Sequence, residues 1–171
     1  QTLCVRPDDK GTVILAADGS EQGSFAEAIK RPSAIHVGAQ SVAILEKNNL
    51  HAFSHDGKKL FSIGRYGSSP GGFNKPVDVF VHAGKYYVSD KGNNRVQVFA
   101  ADGIFLEEIK ERNGDERLFI EVGPIAVDSK ENLYVADGSA LGLIHVLDKE
   151  RNKIASIGIA EDSLHKVTGF H

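Results

Sequence analysis

The chain has 171 residues, 41% apolar and 25% charged, with a formal charge of −3. That composition suits one globular domain with a buried core and argues against disorder. It also excludes a strongly basic nucleic-acid or membrane binder, and no apolar run approaches the roughly 20 residues of a membrane-spanning helix.

In chain order, residues 1–5, 12–16 and 23–30 read as three strands. Residues 25–31 pass locally as helix, but their place matches an outer strand. A quartet of strands follows at 34–37, 42–45, 50–54 and 59–63, then another at 77–82, 85–89, 95–100 and 104–109. A third quartet occupies 124–127, 132–136, 143–147 and 153–157, and a lone final strand is expected at 167–171.

Two anchors tie these strands into a repeat. Asp-Gly after an apolar pair recurs at Asp18-Gly19, Asp56-Gly57 and Asp102-Gly103, with a degenerate copy at Glu150-Arg151. Asp-Gly between apolar runs marks a hairpin, because glycine accepts the positive φ of the favoured turns. Pro32, Pro76 and Pro124 each precede a short strand, and Val167 keeps the pattern without proline, giving spacings of 44, 48 and 43 residues. Periods of that length holding four short strands predict an all-β propeller, each blade covering its neighbour's face. The blades fall at 167–171 plus 1–30, 32–64, 76–110 and 124–158, within a single domain. The C-terminal strand would complete the N-terminal blade and remove two open edges. The strands suffice for a closed four-bladed ring or for part of a larger one.

With those residues in view, the chain resembles the NHL repeat family. Gly64 to Pro76 is similar to the family's glycine-rich blade connection, ending Phe73-Asn74-Lys75-Pro76. The run Val88-Ser89-Asp90-Lys91-Gly92-Asn93-Asn94-Arg95-Val96-Gln97-Val98-Phe99 resembles its central signature, and Leu133 to Asp137 begins a second copy. After Asp137 the Asn and Arg of that signature give way to Gly142 and Leu143. The resemblance implies a propeller, usually six-bladed, in which Asp90, Asn94, Arg95, Asp137, Pro76 and Pro124 serve structure.

Candidate chemistry is sparse. Asp90, Asn93 and Asn94 lack the several-oxygen set that calcium needs. Four residues beyond each proline-type anchor stand His36, Phe80, Asp128 and His171. At one level of the channel, His36, Asp128 and His171 would offer two imidazoles and a carboxylate to zinc or iron. The resemblance lends that reading some weight, since peptide-amidating lyases have related propellers with a channel metal. Ordinary polar lining competes with it. No nucleophile elbow, phosphate loop or His-Glu-x-x-His motif is present. The mixed charges of residues 110–117 read as a solvated loop. Arg65, Tyr66, Lys75 and Arg95 would make a small basic patch, but the acidic total argues against RNA.

The leading expectation is therefore a non-catalytic scaffold that binds a protein partner through a blade-loop face. A metal-dependent lyase or lactonase and an RNA-binding propeller are the alternatives, and self-association would complete an unfinished ring. The single cysteine, Cys4, allows no internal disulfide. A start at Gln1 without Met reads as either a cleaved signal peptide or a fragment, and export to the periplasm or beyond is expected ahead of a cytoplasmic location.

Overall fold

The computed structural model describes residues 2–5, 12–15, 20–24, 29, 31–112, 116–138 and 142–158. The final strand expected at 167–171 and most of the strand expected at 23–30 lie outside them. Strands β1 (Thr2–Val5), β2 (Thr12–Leu15) and β3 (Glu21–Ser24) form a three-stranded antiparallel sheet, so its third strand begins two residues early. A four-stranded sheet follows with β4 (Pro32–Val37), β5 (Val42–Glu46), β6 (Asn49–Phe53) and β7 (Lys59–Ile63). The next holds β8 (Pro76–His82), β9 (Lys85–Asp90), β10 (Arg95–Phe99) and β11 (Phe105–Ile109). Residues 110–117 carry a two-strand ribbon, β12 (Glu111–Arg112) with β13 (Glu116–Arg117), rather than a plain loop. The last sheet is β14 (Val122–Val127), β15 (Leu133–Asp137), β16 (Leu143–Leu147) and β17 (Lys153–Gly158). Among the described residues one 3₁₀ turn, Lys91–Asn93, is the only helix, and none is long and apolar enough to cross a membrane.

The Asp-Gly anchor sets the register of the outer hairpins. Leu15 pairs with Glu21, Phe53 with Lys59, Phe99 with Phe105 and Leu147 with Lys153, always six residues on and always across a register shift. Gly57 and Gly103 both take φ +86°. A Cβ at Gly103 would also lie 2.8 Å from the Phe61 ring. The degenerate copy makes the same turn with Arg151 at φ +67°. Left-handed backbone costs a non-glycine residue about 1 kcal/mol. Arg151 offsets it by pairing with Glu107 (2.6 Å) and lying 5.8 Å over the Tyr87 ring.

The second four-stranded sheet stacks on the first, and the third on the second. The N-ward faces carry Val42, Ile44 and Phe53 in the first, Val79, Val81, Tyr86, Val88 and Phe99 in the second, and Ile125, Val127, Leu133, Val135 and Leu147 in the third. The C-ward face of the first offers Ala43, Leu50, Ala52 and Ile63 to the second, and that of the second offers Tyr87, Val96, Val98 and Ile109 to the third. At the inner edge β4 lies against β8 and β8 against β14. At that edge His36 Nδ1 accepts the Val81 N–H (3.0 Å), and Asp78 accepts the Ile125 N–H (2.8 Å). Face-to-face stacking of radially arranged sheets is the propeller arrangement.

Candidate functional site

The polar signature folds into a latch at the entrance of each four-stranded sheet. The second strand of each of these sheets ends in an acid placed opposite the first residue of the first strand: Glu46 opposite Pro32, Asp90 opposite Pro76, Asp137 opposite Val122. Each carboxylate accepts backbone N–H groups from the incoming connection. Glu46 takes that of Arg31 (2.9 Å), Asp90 that of Asn74 (2.7 Å), and Asp137 those of Ile120 (2.7 Å) and Glu121 (3.0 Å). Three residues before each first strand an apolar side chain plugs the interior: Ile29, Phe73 and Phe119, all 2% exposed or less. A buried acid without such donors would be costly; with them it holds the connection in place.

The second sheet has the fullest version. Arg95, 2% exposed, donates to Asp90 (2.9 Å), to Glu108, and to the carbonyls of Ser68, Ser69 and Gly72. Gln97 donates to Gly72 O (2.8 Å) and accepts the Gly71 N–H (3.0 Å), while Asn93 bridges Asp90 and Gly67. The glycine-rich connection is thus wrapped around one guanidinium. Gly64 opens it at φ +128°, where a Cβ would collide with the Asn48 carbonyl. Asn94, left-handed at φ 51°, reaches forward to the next latch, donating to Phe119 O and accepting the Val122 N–H. Burial works against the Glu108 charge, but hydrogen bonds from Lys110 and Arg95 outweigh it and hold its pKa below the usual carboxylate value.

The residues considered for a metal are not brought to one level. His36 stands in register with Phe80 and stacks on it at 4.1 Å, but their counterpart in the third sheet is Ala126. Asp128 lies two residues further on, in the β14–β15 turn. There it accepts the N–H groups of Lys130 and Asn132, the Asn132 amide and the Tyr134 hydroxyl. Partial desolvation opposes its charge, yet those donors keep its pKa low. His171 lies outside the described residues. Among the described residues no three His, Cys, Asp or Glu side chains are grouped to hold a metal ion. On Asp90 the donors of Asn74, Asn93, Arg95 and Gln97 converge, so its oxygens face protein N–H groups rather than a cation space.

A position that sequence reading passed over is the middle of the third strands. His51, Gln97 and His145 occupy equivalent places, opposite Ser62, Glu108 and Ser156. His145 lies 3.3 Å from Asp137 as Gln97 does from Asp90. The spacings of 46 and 48 residues were the available signal.

Burial pushes the His36 pKa below its ordinary 6.5, against the pull of Asp78. The folded state therefore favours the neutral ring, and its contribution is present above pH about 6.5 and lost as pH falls. The melting temperature should drop between pH 7.5 and 5 with a slope that His36→Asn, which keeps an acceptor for Val81 but does not titrate, makes shallower. An unchanged slope would remove His36 as the cause.

Two faces remain open to partners. Near the β4–β5 and β8–β9 turns a groove of about 510 Å³ is lined by Ser41, Leu60, Val81, Gly84, Tyr86 and Ala101 among others, with no carboxylate or imidazole in the lining. At the opposite end, the latch connections expose Tyr66 (74%) and Ile120 (72%). Arg65, Lys75, Lys91 and Lys110 are exposed around them. Lys91 pairs with Glu121 (2.5 Å) and Lys110 with Glu108 (2.9 Å).

Comparison with known proteins agrees with this architecture. The NHL repeat profile matches residues 73–99, the span from the Phe73 plug to the end of β10. The human E3 ubiquitin-protein ligase TRIM32 is 48% identical over 52 residues, covering 30% of this chain and 8% of that protein. A catalytically inactive virginiamycin B lyase from Staphylococcus aureus, solved with quinupristin, superposes with a TM-score of 0.64 over 94% of this chain and 55% of its own, at 13% identity. Streptogramin B lyase gives 0.63 over 88% and 48%, at 12% identity. At such identities the likeness is one of fold, and the chain spans about half the length of these structures. The stacked sheets give the chain a β-propeller fold, and residues 73–99 within it match the NHL repeat.

Proposed function

We propose that the chain is a non-catalytic interaction propeller that holds a protein partner on the face built by the sheet connections. One observation carries this reading. Tyr66 and Ile120 stand about three-quarters exposed on successive connections whose neighbouring plugs, Phe73 and Phe119, are buried. Large apolar side chains displayed from a rigidly latched backbone are the usual anchors of recognition, since they bind with little ordering cost. Arg65 and Lys75 beside them favour a partner surface that is acidic as well as apolar. The repeat shared with TRIM32 supports the same reading. The lyases of similar fold supply the competing idea, an enzyme.

The test compares the wild-type chain with Tyr66→Ala/Ile120→Ser. The exposed substitutions should leave the circular dichroism and melting temperature unchanged and weaken binding of a partner, isolated and then reconstituted pure, by roughly tenfold or more. Equal affinity of the two proteins, or turnover of quinupristin by the purified chain, would overturn the proposal. Binding to single-stranded RNA that weakens steeply with salt would transfer the face to nucleic acid.

A further inference from the structure

The groove beside the β4–β5 and β8–β9 turns lies in the seam between the first and second four-stranded sheets, and the next seam shows what fills that place there. Strand registers make Lys85 the counterpart of Ser41 and Glu131 the counterpart of Gly84, the latter two sharing left-handed backbone (φ +64° and +73°). Between the second and third sheets Lys85 and Glu131 pair across the seam at 3.2 Å. Between the first and second a serine and a glycine stand instead. Ala39, Ala83 and Ala101 add only methyl groups, so about 510 Å³ stays open. Ala83 also takes left-handed backbone (φ +47°), a conformation easier for asparagine or glycine, and its methyl lines the groove.

Two buried hydroxyls supply the chemistry. Tyr86 and Ser41 line the groove at 2% and 5% exposure, and the Tyr86 hydroxyl donates to Ser41 Oγ (2.7 Å). That bond uses one of the two hydroxyl protons, and among the described residues no acceptor takes the other. A buried donor left without a partner is costly, so the place calls for an oxygen from a ligand. The rest of the lining is apolar apart from Gln40. With no charged side chain there, an ion would give up its hydration without compensation. Cavities of this size and make-up are those that enclose small molecules.

We infer that the groove binds a small neutral molecule whose carbonyl oxygen accepts the free hydroxyl proton and whose apolar body lies against Leu60, Val81 and the alanine methyls. The site is at the end opposite Tyr66 and Ile120, so it is independent of the partner-binding face.

In amide NMR titrations of the 171-residue chain, acetophenone should shift the signals of Gln40, Gly84 and Ala101 with a Kd of about 1 mM, a level within reach of so small a ligand. Ethylbenzene, of similar shape without the carbonyl, should bind about tenfold more weakly, and benzoate should leave these signals in place. Ser41→Ala/Tyr86→Phe removes both hydroxyls and strands neither. It should keep the wild-type melting temperature, lower acetophenone affinity about tenfold and leave that of ethylbenzene unchanged. Ala101→Leu, at an exposed turn residue, fills the groove and should abolish the shifts from both ligands, which keeps the test decisive if the double variant misfolds. Absence of saturable shifts, equal affinity of the wild-type chain for ethylbenzene and acetophenone, or shifts that survive Ala101→Leu would each overturn the inference. So would tighter binding of N-acetyl-leucine amide, which would make the groove a seat for a protein side chain.

Discussion

Asp90→Ala should destabilise the chain by about 3–5 kcal/mol, measured by urea unfolding, because it strands a buried guanidinium. Asp90 is fully buried and Arg95 is 2% exposed, so water cannot replace the lost partner. The substitution also removes the acceptor of the Asn74 and Asn93 donors, adding the cost of unsatisfied N–H groups. Arg95 keeps Glu108 and three carbonyls, which sets the outcome nearer the lower figure. Asp90→Asn, retaining shape and one acceptor oxygen, should cost less. Asp90→Ala/Arg95→Met should cost less than the two single changes together, since the second removes the stranded charge. By contrast, breaking the exposed Lys91–Glu121 pair should change stability by under about 1 kcal/mol. A loss below about 1 kcal/mol for Asp90→Ala would mean that the guanidinium is not held as the geometry requires.

The second large effect is expected at Phe119. Phe119→Ala should cost about 3–5 kcal/mol, the range for emptying a buried aromatic site. Its ring is 1% exposed, within the cluster that joins the second and third sheets, and lies 6.2 Å from His145. Ile120→Ala, one residue on, removes a side chain that is 72% exposed and should stay within about 0.5 kcal/mol of wild type. The contrast between neighbours is the discriminating measurement. Comparable losses would show that Phe119 is not the counterpart of Phe73.

The sequence revealed the outer hairpins well because the Asp-Gly turn is a local device whose backbone requirement is written in the residue itself. Even the degenerate copy at Arg151 adopts the same conformation. Proline was a poorer ruler. Pro32 and Pro76 open their strands opposite Glu46 and Asp90, whereas Pro124 falls two places inward, since Val122 holds that position opposite Asp137. The first strand of each sheet is an inner edge, where a missing N–H costs no ladder bond, so proline is tolerated at either place. That slip is why Asp128 was aligned with His36. The plug gave a truer phase, with Ile29, Phe73 and Phe119 spaced by 44 and 46 residues, but single apolar residues do not announce themselves in a strand-rich chain. The ribbon of β12 and β13 was also legible: Asn113-Gly114 between two charged pairs is a hairpin signal that the mixed charge obscured.

The latch closes over short chain distances, with acid and connection 15 to 17 residues apart, while the side-chain bonds between neighbouring sheets join residues 25 to 47 apart. Each unit can therefore seal its own entrance before it meets its neighbour, and cooperation passes only along the row, as in a one-dimensional array. A module cut just ahead of Gly64 and ending after Ile109 takes its own stopper and clasp with it. Transplanted between other units, it should keep its geometry and surrender only what the two flanking faces contributed.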